Sequence, residues 1–404
     1  MKIAIICSSF LPVIDGVTLA VYYRVQQLSR LGYEVKIFCP DYDALSQIYP
    51  NWQQYTGEIF PGVEVISLPS TKSLALEFER DVTIKSYQLV IEQLNKFQPD
   101  VIHVDEAERL GCCWLKLPGV KYARKHQIPC ISWFHTNYLD YFDDYFNLPW
   151  GLNQIIKKIL GWIFAKIYNS YDRTLVASSF TQSKLIAMGI KNTTYGEFLG
   201  LDLEQFQIPT QQANFWSDRN FDLANKVKLV FLGRLTPDKG WNFTLDSMAQ
   251  LPPEVLAKIA IIIAGDGDLK LKIEHRLLEL TPDVYLLGRI SPEFVPELLI
   301  NSDIFITNSE KETRGLTVME AAAAGIPAIA PRIGGVVDTI QDGVTGYLYE
   351  PQNINDFLLK LEQLISDRPL RISMGQQARA IATQWSWQQA TQNLIKVWIE
   401  SRRQ

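Results

Sequence analysis

Apolar positions in this chain come in short runs, and amphipathic stretches separate them. Residues 2–7 (Lys-Ile-Ala-Ile-Ile-Cys) read as a buried strand. Residues 17–31 repeat apolar side chains at helical spacing and stop at Gly32, which predicts a helix. Further strands are predicted at 34–38, 63–68, 101–104 and 128–133, with helices at 83–97 and 114–126. From 208 to 226 the pattern fades into polar residues, and a linker is placed there. The alternation then restarts. Strands fall at 228–231, 259–264, 284–287, 304–307 and 328–330, with helices at 241–251, 269–280, 294–301 and 316–324. Strand–helix alternation of this kind implies parallel strands joined by crossover helices. The expectation is an α/β protein of two doubly wound, Rossmann-like domains, 1–207 and 208–385. The segment 386–404, helical over 386–401, is expected to cross back to the first. Such sheets bind ligands beyond their strand C-termini, and two of them facing each other make a cleft.

Composition narrows the function. A chain of 404 residues is too long for one ordinary core, which supports two domains. With 47% hydrophobic and 21% charged residues it reads as globular, and a net charge of −5 excludes a general affinity for nucleic acid. The five cysteines form no CxxC pair and the four histidines have no zinc-ligand spacing, so thiols in a reducing compartment and no metal site are expected. No apolar run is long enough to span a bilayer, and residues 2–7 are too short for a secretory h-region. A cytoplasmic protein, peripherally associated with a membrane, is expected.

Candidate chemistry concentrates between Ser309 and Pro327. Glu312 and Glu320 are separated by seven residues, and Gly315-Leu316 opens a helix between them. A helix N-terminus offers unpaired N–H groups and a positive dipole end to a phosphate. A carboxylate on each side can accept hydrogen bonds from sugar hydroxyls. The spacing therefore suits a nucleotide sugar. The plain alternative is a buried helix of Val318, Ala321, Ala322 and Ala324 with Glu320 in solvent.

Upstream, Arg234 and Lys239 flank a turn at Pro237 between a strand and a helix. Two cations at such a turn can neutralise a diphosphate, Arg by bidentate contact and Lys as a point charge. In the first domain Gly16 stands at the mouth of a helix, where a missing Cβ lets backbone approach a phosphate or sugar. The loop is not GxGxxG, which argues against a dinucleotide.

Taken in order, these segments resemble the retaining glycosyltransferases of family four, which have the GT-B fold. The resemblance runs through Asp15-Gly16, His135, Val176–Ser179, Gly200-Leu-Asp202, Gly233-Arg234, Lys239-Gly240, Ala264–Gly267, Gly288-Arg289 and the paired glutamates. It implies that Arg234 and Lys239 bind the donor diphosphate. Glu320 would bind the ribose, and Glu312 the transferred sugar together with the amides of Gly315 and Leu316. Gly16 would pack on the donor phosphate, Arg289 and Ile290 would lie near the base, and His135 would stand at the reacting centre. No cofactor or metal is implied, only a nucleoside diphosphate sugar, with uridine as the base. Many members have Gly-Phe where this chain has Thr313-Arg314, and an Asn where it has Leu199. The Glu-Thr form is more similar to sulfolipid synthases and lipid mannosyltransferases.

Two further segments bear on the acceptor. Residues 134–141 (Phe-His-Thr-Asn-Tyr-Leu-Asp-Tyr), with Asn137 and Tyr138, are similar to a segment of plant digalactosyldiacylglycerol synthases. The run Asp105-Glu-Ala-Glu-Arg-Leu110 is similar to an acidic segment of the same enzymes. On a predicted helix, Leu152, Ile155, Ile156, Ile159, Leu160, Ile163, Phe164 and Ile167 make an apolar stripe assigned to the core. Lys158, Trp162 and Lys166 make a second stripe suited to an anionic bilayer surface. The expected reaction is hexosyl transfer to a lipid, galactosyl transfer to monogalactosyldiacylglycerol first. Sulfoquinovosyl or mannosyl transfer to a lipid follows, then a soluble or polysaccharide acceptor. A non-catalytic sugar- or lipid-binding scaffold would keep the donor site without turnover. Asp41-Tyr42-Asp43 matches DxD, but it follows a first-domain strand and reads as an acidic turn.

Overall fold

The computed structural model describes residues 1–73, 79–136, 138–140, 150–207, 214–223 and 225–402. The chain divides into two compact units. One holds Met1–Leu139, Leu148–Gly200 and Trp387–Gln404, and the bulk of the other is Leu201–Ser386.

The first unit is built on an eight-stranded sheet. Its strands are β1 (Lys2–Cys7), β2 (Glu34–Pro40), β3 (Gly57–Phe60) and β4 (Val63–Leu68), and, after a separate ribbon of β5 (Ser70–Lys72) and β6 (Arg80–Val82), β7 (Val101–Asp105), β8 (Cys130–Trp133), β9 (Arg173–Val176) and β10 (Thr193–Tyr195). The order across the sheet is β10-β9-β8-β7-β1-β2-β4-β3, parallel except for the β3–β4 hairpin. β1 is wholly apolar inside because helices cover both faces of a parallel sheet. The strand order reverses at β1–β7, so the loops after these strands diverge and leave a crevice at their carboxyl ends.

The second unit carries β11 (Val227–Leu232), β12 (Ile259–Ala264), β13 (Val284–Gly288), β14 (Ile304–Ile306), β15 (Ala328–Pro331) and β16 (Gly346–Tyr349). Their order, β13-β12-β11-β14-β15-β16, is the doubly wound 3-2-1-4-5-6 arrangement, all parallel. Here the reversal lies between β11 and β14. These two strands lead directly into Arg234 and Glu312.

The structure departs from the sequence reading in several places. The helix expected at 114–126 is two helices, Ala107–Trp114 and Val120–His126. Leu115 takes a left-handed conformation and Pro118-Gly119 makes the break. The strand expected at 63–68 is β4, but its hairpin partner β3 and the β5–β6 ribbon are too short for a period-2 pattern and have no counterpart in the sequence reading. Residues 201–207 pack in the second unit, where Leu201 donates its amide to the Trp385 carbonyl and Phe206 is buried in the core.

Glycines fasten the loops at the carboxyl edge of the second sheet. Gly265 has φ +150°, and a Cβ there would overlap the Gly233 carbonyl oxygen. Gly265→Ala is expected to lose about 1–3 kcal/mol of stability in chemical denaturation. Gly151→Ala, in a helix with open space around it, should be neutral or slightly stabilising. Equal effects from the two would refute the close-packing account.

Candidate functional site

The site grows from the turn after β11. Gly233 and Arg234 leave the strand, and Gly233 and Leu235 are held by backbone bonds to Ala264 and Asp266 of the neighbouring turn. Gly267 (φ +157°) lies against the Leu235 carbonyl, with room for no side chain. The chain then makes a single turn, Pro237–Lys239, before helix Trp241–Met248. Gly240 lets that turn press on the backbone of Asn308. Asn308 is itself fixed, donating to Thr244 at 2.7 Å and accepting from Tyr349 at 2.8 Å. Ser309 donates to the Asp238 carbonyl at 3.3 Å. These buried polar contacts bring the β11 and β14 loops together.

The charged groups follow from that backbone. Lys239 Nζ lies 2.7 Å from Glu312 Oε1, both side chains about one-fifth exposed. Arg234 is half-exposed and pairs with the fully buried Asp238 carboxylate at 3.3 Å. The other Asp238 oxygen is buried without a partner among the described residues. Loop 312–314 is pinned from behind, because Gly335 donates its amide to the Glu312 carbonyl at 2.6 Å. A Cβ on Gly335 would overlap the Thr313 carbonyl.

Gly315 (φ +80°) caps helix Leu316–Ala324 with no side-chain cap. Val318 and Met319 donate to the Gly315 carbonyl, and the Leu316 and Thr317 amides have no intrahelical acceptor and no capping side chain among the described residues, as an anion seat requires. Glu320 sits on this helix, half-buried, with no hydrogen-bond partner among the described residues. Burial pushes its carboxyl up to about 7. Arg289 follows β13 and is exposed, and Ile290 packs on the core that holds Val318 and Met319. Thus Arg234, Lys239, Glu312, Gly315, Leu316, Glu320, Arg289 and Ile290 all belong to the carboxyl side of one sheet or the helix that starts there.

Gly16 and His135 belong to the other unit. Gly16 opens helix Gly16–Arg30, but the Asp15 carboxylate already accepts from the amides of Val17 and Thr18 at 2.9 and 2.8 Å. The anion capacity of that N-terminus is partly used up. His135 is buried, 2.6 Å from Asp105 and stacked on Trp133. Tyr138 donates to Glu106 at 2.9 Å, while Asn137 lies outside the described residues. Among the described residues no group of His, Cys, Asp and Glu is placed to hold a metal ion. Asp41 accepts from the Asp43 amide, an acidic turn.

Sequence reasoning missed Asp238, Asn308 and Ser309. Asp238 directly precedes Lys239 and Ser309 opens the glutamate segment, so adjacency to the motifs was the available signal.

The helix expected at 152–167 runs over Trp150–Tyr168. Its apolar stripe is not all core. Phe164 is buried and Leu160, Ile163 and Ile167 pack on the core, but Leu152, Ile155 and Ile159 are 49%, 57% and 54% exposed. They share one face with Lys158, Lys166 and the 59% exposed Trp162, over which the Lys166 ammonium sits at 3.7 Å. Periodicity does not separate the buried from the exposed members of the apolar stripe, because both recur at helical spacing.

Two doubly wound units, the second with a basic strand–turn–helix and paired glutamates, define a glycosyltransferase of the GT-B fold. Residues 14–195 match the family model described as Glycosyltransferase Family 4, and residues 214–381 match Glycosyl transferases group 1. Together the two matches span most of the chain, which carries a domain of each of these glycosyltransferase families. It is 28% identical over 313 residues to a sulfoquinovosyl transferase of Arabidopsis thaliana, a match covering 75% of this chain but only 57% of that relative's length. It is 26% identical to a GDP-mannose-dependent alpha-mannosyltransferase of Mycobacterium tuberculosis, with 86% and 83% covered. An alpha-monoglucosyldiacylglycerol synthase of Streptococcus pneumoniae is 25% identical, with 86% and 75% covered. Among solved structures, Anabaena HepE in complex with UDP and glucose superposes with a TM-score of 0.71 at 18% identity, covering 98% and 99% of the two chains. That likeness concerns the fold.

The Glu320 carboxyl yields a pH prediction. Unfolded it ionises near 4.5, folded near 7, so the folded state binds the extra proton. Its cost to folding starts as pH rises through 4.5 and is complete above about 7. Because the residue keeps some exposure, the cost is placed at about 1–3 kcal/mol. Glu320→Gln should therefore be more stable than the wild type by that amount at pH 8 and equal to it at pH 4.5. A gain independent of pH would overturn the assignment.

Proposed function

We propose that this chain transfers a hexose from a UDP-sugar to a hydroxyl of a membrane glycerolipid, with retention at the anomeric carbon. The observation that carries the lipid acceptor is the exposed face of Leu152, Ile155, Ile159 and Trp162, flanked by Lys158 and Lys166. Large apolar side chains with lysines on one helix face suit the headgroup zone of an anionic bilayer. No helix among the described residues is long and apolar enough to cross a membrane. The relative named for diacylglycerol and the one named for sulfoquinovosyl transfer support a lipid acceptor. The likeness to a structure holding UDP supports uridine in the donor. The segment 134–141 favours monogalactosyldiacylglycerol as acceptor and galactose as the sugar.

In this reading the diphosphate lies against the N-terminus of helix Leu316–Ala324, within reach of Arg234 and Lys239. Lys239 has three N–H donors, so it can keep Glu312 and still meet a phosphate oxygen. Glu312 holds hydroxyls of the transferred sugar, and the unpartnered Glu320 accepts from the ribose. The anomeric C–O bond to the phosphate breaks while the acceptor oxygen bonds to the same face. The leaving diphosphate oxygen takes the acceptor proton. Charge grows on the diphosphate, where the cations and the helix N-terminus stabilise it. No step is routed through a metal or a protein nucleophile.

Labelled UDP-galactose, UDP-glucose, UDP-sulfoquinovose and GDP-mannose, each offered to vesicles of diacylglycerol or monogalactosyldiacylglycerol, test the pair. Labelled digalactosyl lipid from UDP-galactose and monogalactosyldiacylglycerol is expected. Donor hydrolysis without lipid product in any pairing would sink the lipid acceptor. Glu312→Gln should lower turnover about 100-fold with the fold intact; an unchanged rate would remove its role. Replacing both Ile155 and Trp162 with Ser should weaken binding to phosphatidylglycerol vesicles about 10-fold or more while hydrolysis of the free donor persists. Unaltered vesicle binding would exclude this helix face as the contact.

A further inference from the structure

The first unit has its own reversal of strand order, at β1–β7, and the residue ending β7 is Asp105. Its side chain is fully buried, and its side-chain partners among the described residues are Arg24, His135 and His103. Arg24, itself 2% exposed, reaches it from helix Gly16–Arg30 through two nitrogens at 3.1–3.3 Å. His135 Nε2 lies 2.6 Å from its Oδ1. His103 Nε2 lies 3.4 Å from the same oxygen, and the other His103 nitrogen accepts from the Trp398 indole at 3.2 Å. Because His103 Nδ1 accepts, its proton is on Nε2, on the Asp105 side. Burial alone would raise the Asp105 carboxyl, but Arg24, then His103 and His135, hold it well below the usual range.

An ionised carboxylate has no proton to give. The 2.6 Å contact must therefore be donated by His135 Nε2–H. The ring plane is fixed as well, stacked on Trp133 at 4.6 Å and 18°. His135 Nδ1 forms no hydrogen bond among the described residues. We infer that Asp105 is a positioning residue. It holds His135 with its proton on Nε2, so that Nδ1 is presented as an acceptor for a substrate hydroxyl. The inference rests on the reading of His135 as standing at the reacting centre. The arrangement follows a general pattern, in which the bond made by one ring nitrogen decides what the other can do.

The chain has only four histidines, so their ring nitrogens are resolvable by NMR of the 15N-imidazole-labelled protein, with His135 assigned through His135→Gln. The wild type should show His135 as the Nε2–H form. A proton on Nδ1 would overturn the inference, and this measurement does not depend on any Asp105 variant folding. Nucleotide release from UDP-galactose and UDP-glucose supplies the second test. Asp105→Asn should lower kcat about 10- to 100-fold with KM for the donor within about twofold. In a His135→Ala background it should cost nothing further. An equal cost in both backgrounds would make Asp105 merely structural. Wild-type turnover by His135→Ala itself would instead remove His135 from the reacting centre, and the inference with it.

Discussion

Backbone pressed on backbone is the constraint from which the second unit's site follows. Strands in a sheet lie about 4.7–4.9 Å apart, so loops leaving adjacent strands touch unless side chains separate them. Here glycine removes the separation at each contact: Gly265 and Gly267 against Gly233 and Leu235, Gly240 against Asn308, Gly334 and Gly335 against residues 312–314. The loops after β11, β12, β14 and β15 thereby form one stack. Arg234, Lys239 and Glu312 are short steps from that stack, so their heads are positioned with little freedom to lose on binding.

Buried polar groups then decide which charges face outward. Asp238 is fully buried and turns one oxygen to Arg234, while Asn308 and Ser309 spend their hydrogen bonds inside. Lys239 and Glu312 neutralise each other at 2.7 Å and stay partly exposed. In the first unit the Arg24–Asp105 pair is fully buried. Desolvating such a pair offsets much of its attraction, so it is weak evidence for stability by itself. Its effect is on direction: it leaves a carboxylate whose remaining lone pairs can only receive donors, and His135 supplies one.

The architecture was legible because parallel sheets write continuous apolar runs. β1, β12 and β11 are almost wholly apolar, and the helices between them carry clear periodicity. The glutamate segment and the Arg234–Lys239 turn were legible because glycine and proline mark where the backbone must turn. What stayed hidden depended on distance in space rather than along the chain. Nothing near Asp105 in sequence announces Arg24, 81 residues away, or Trp398 behind His103. The exposure of Leu152, Ile155 and Ile159 was equally hidden, since a helix cannot show from its own pattern which of two apolar stripes has a partner. Asp15, a residue type favoured at helix N-caps, takes up part of the amides that the reading of Gly16 leaves open to a phosphate.

Glu312 and Glu320 stand in opposite electrostatic states. Glu312 faces a lysine, so its charge is matched before any ligand arrives. Glu320 has no partner among the described residues, and burial raises its carboxyl to about 7. A group in that condition gains most from a ligand that brings hydrogen-bond donors, because those donors replace the water the fold has taken away. A vicinal diol is such a ligand, and a phosphate is not. In the proposed reading the same helix would receive anionic oxygens at its first turn and hydroxyls at its second, one turn apart on a rigid element. That spacing of chemistries along 316–320, more than either glutamate alone, is what would suit the site to a nucleoside diphosphate.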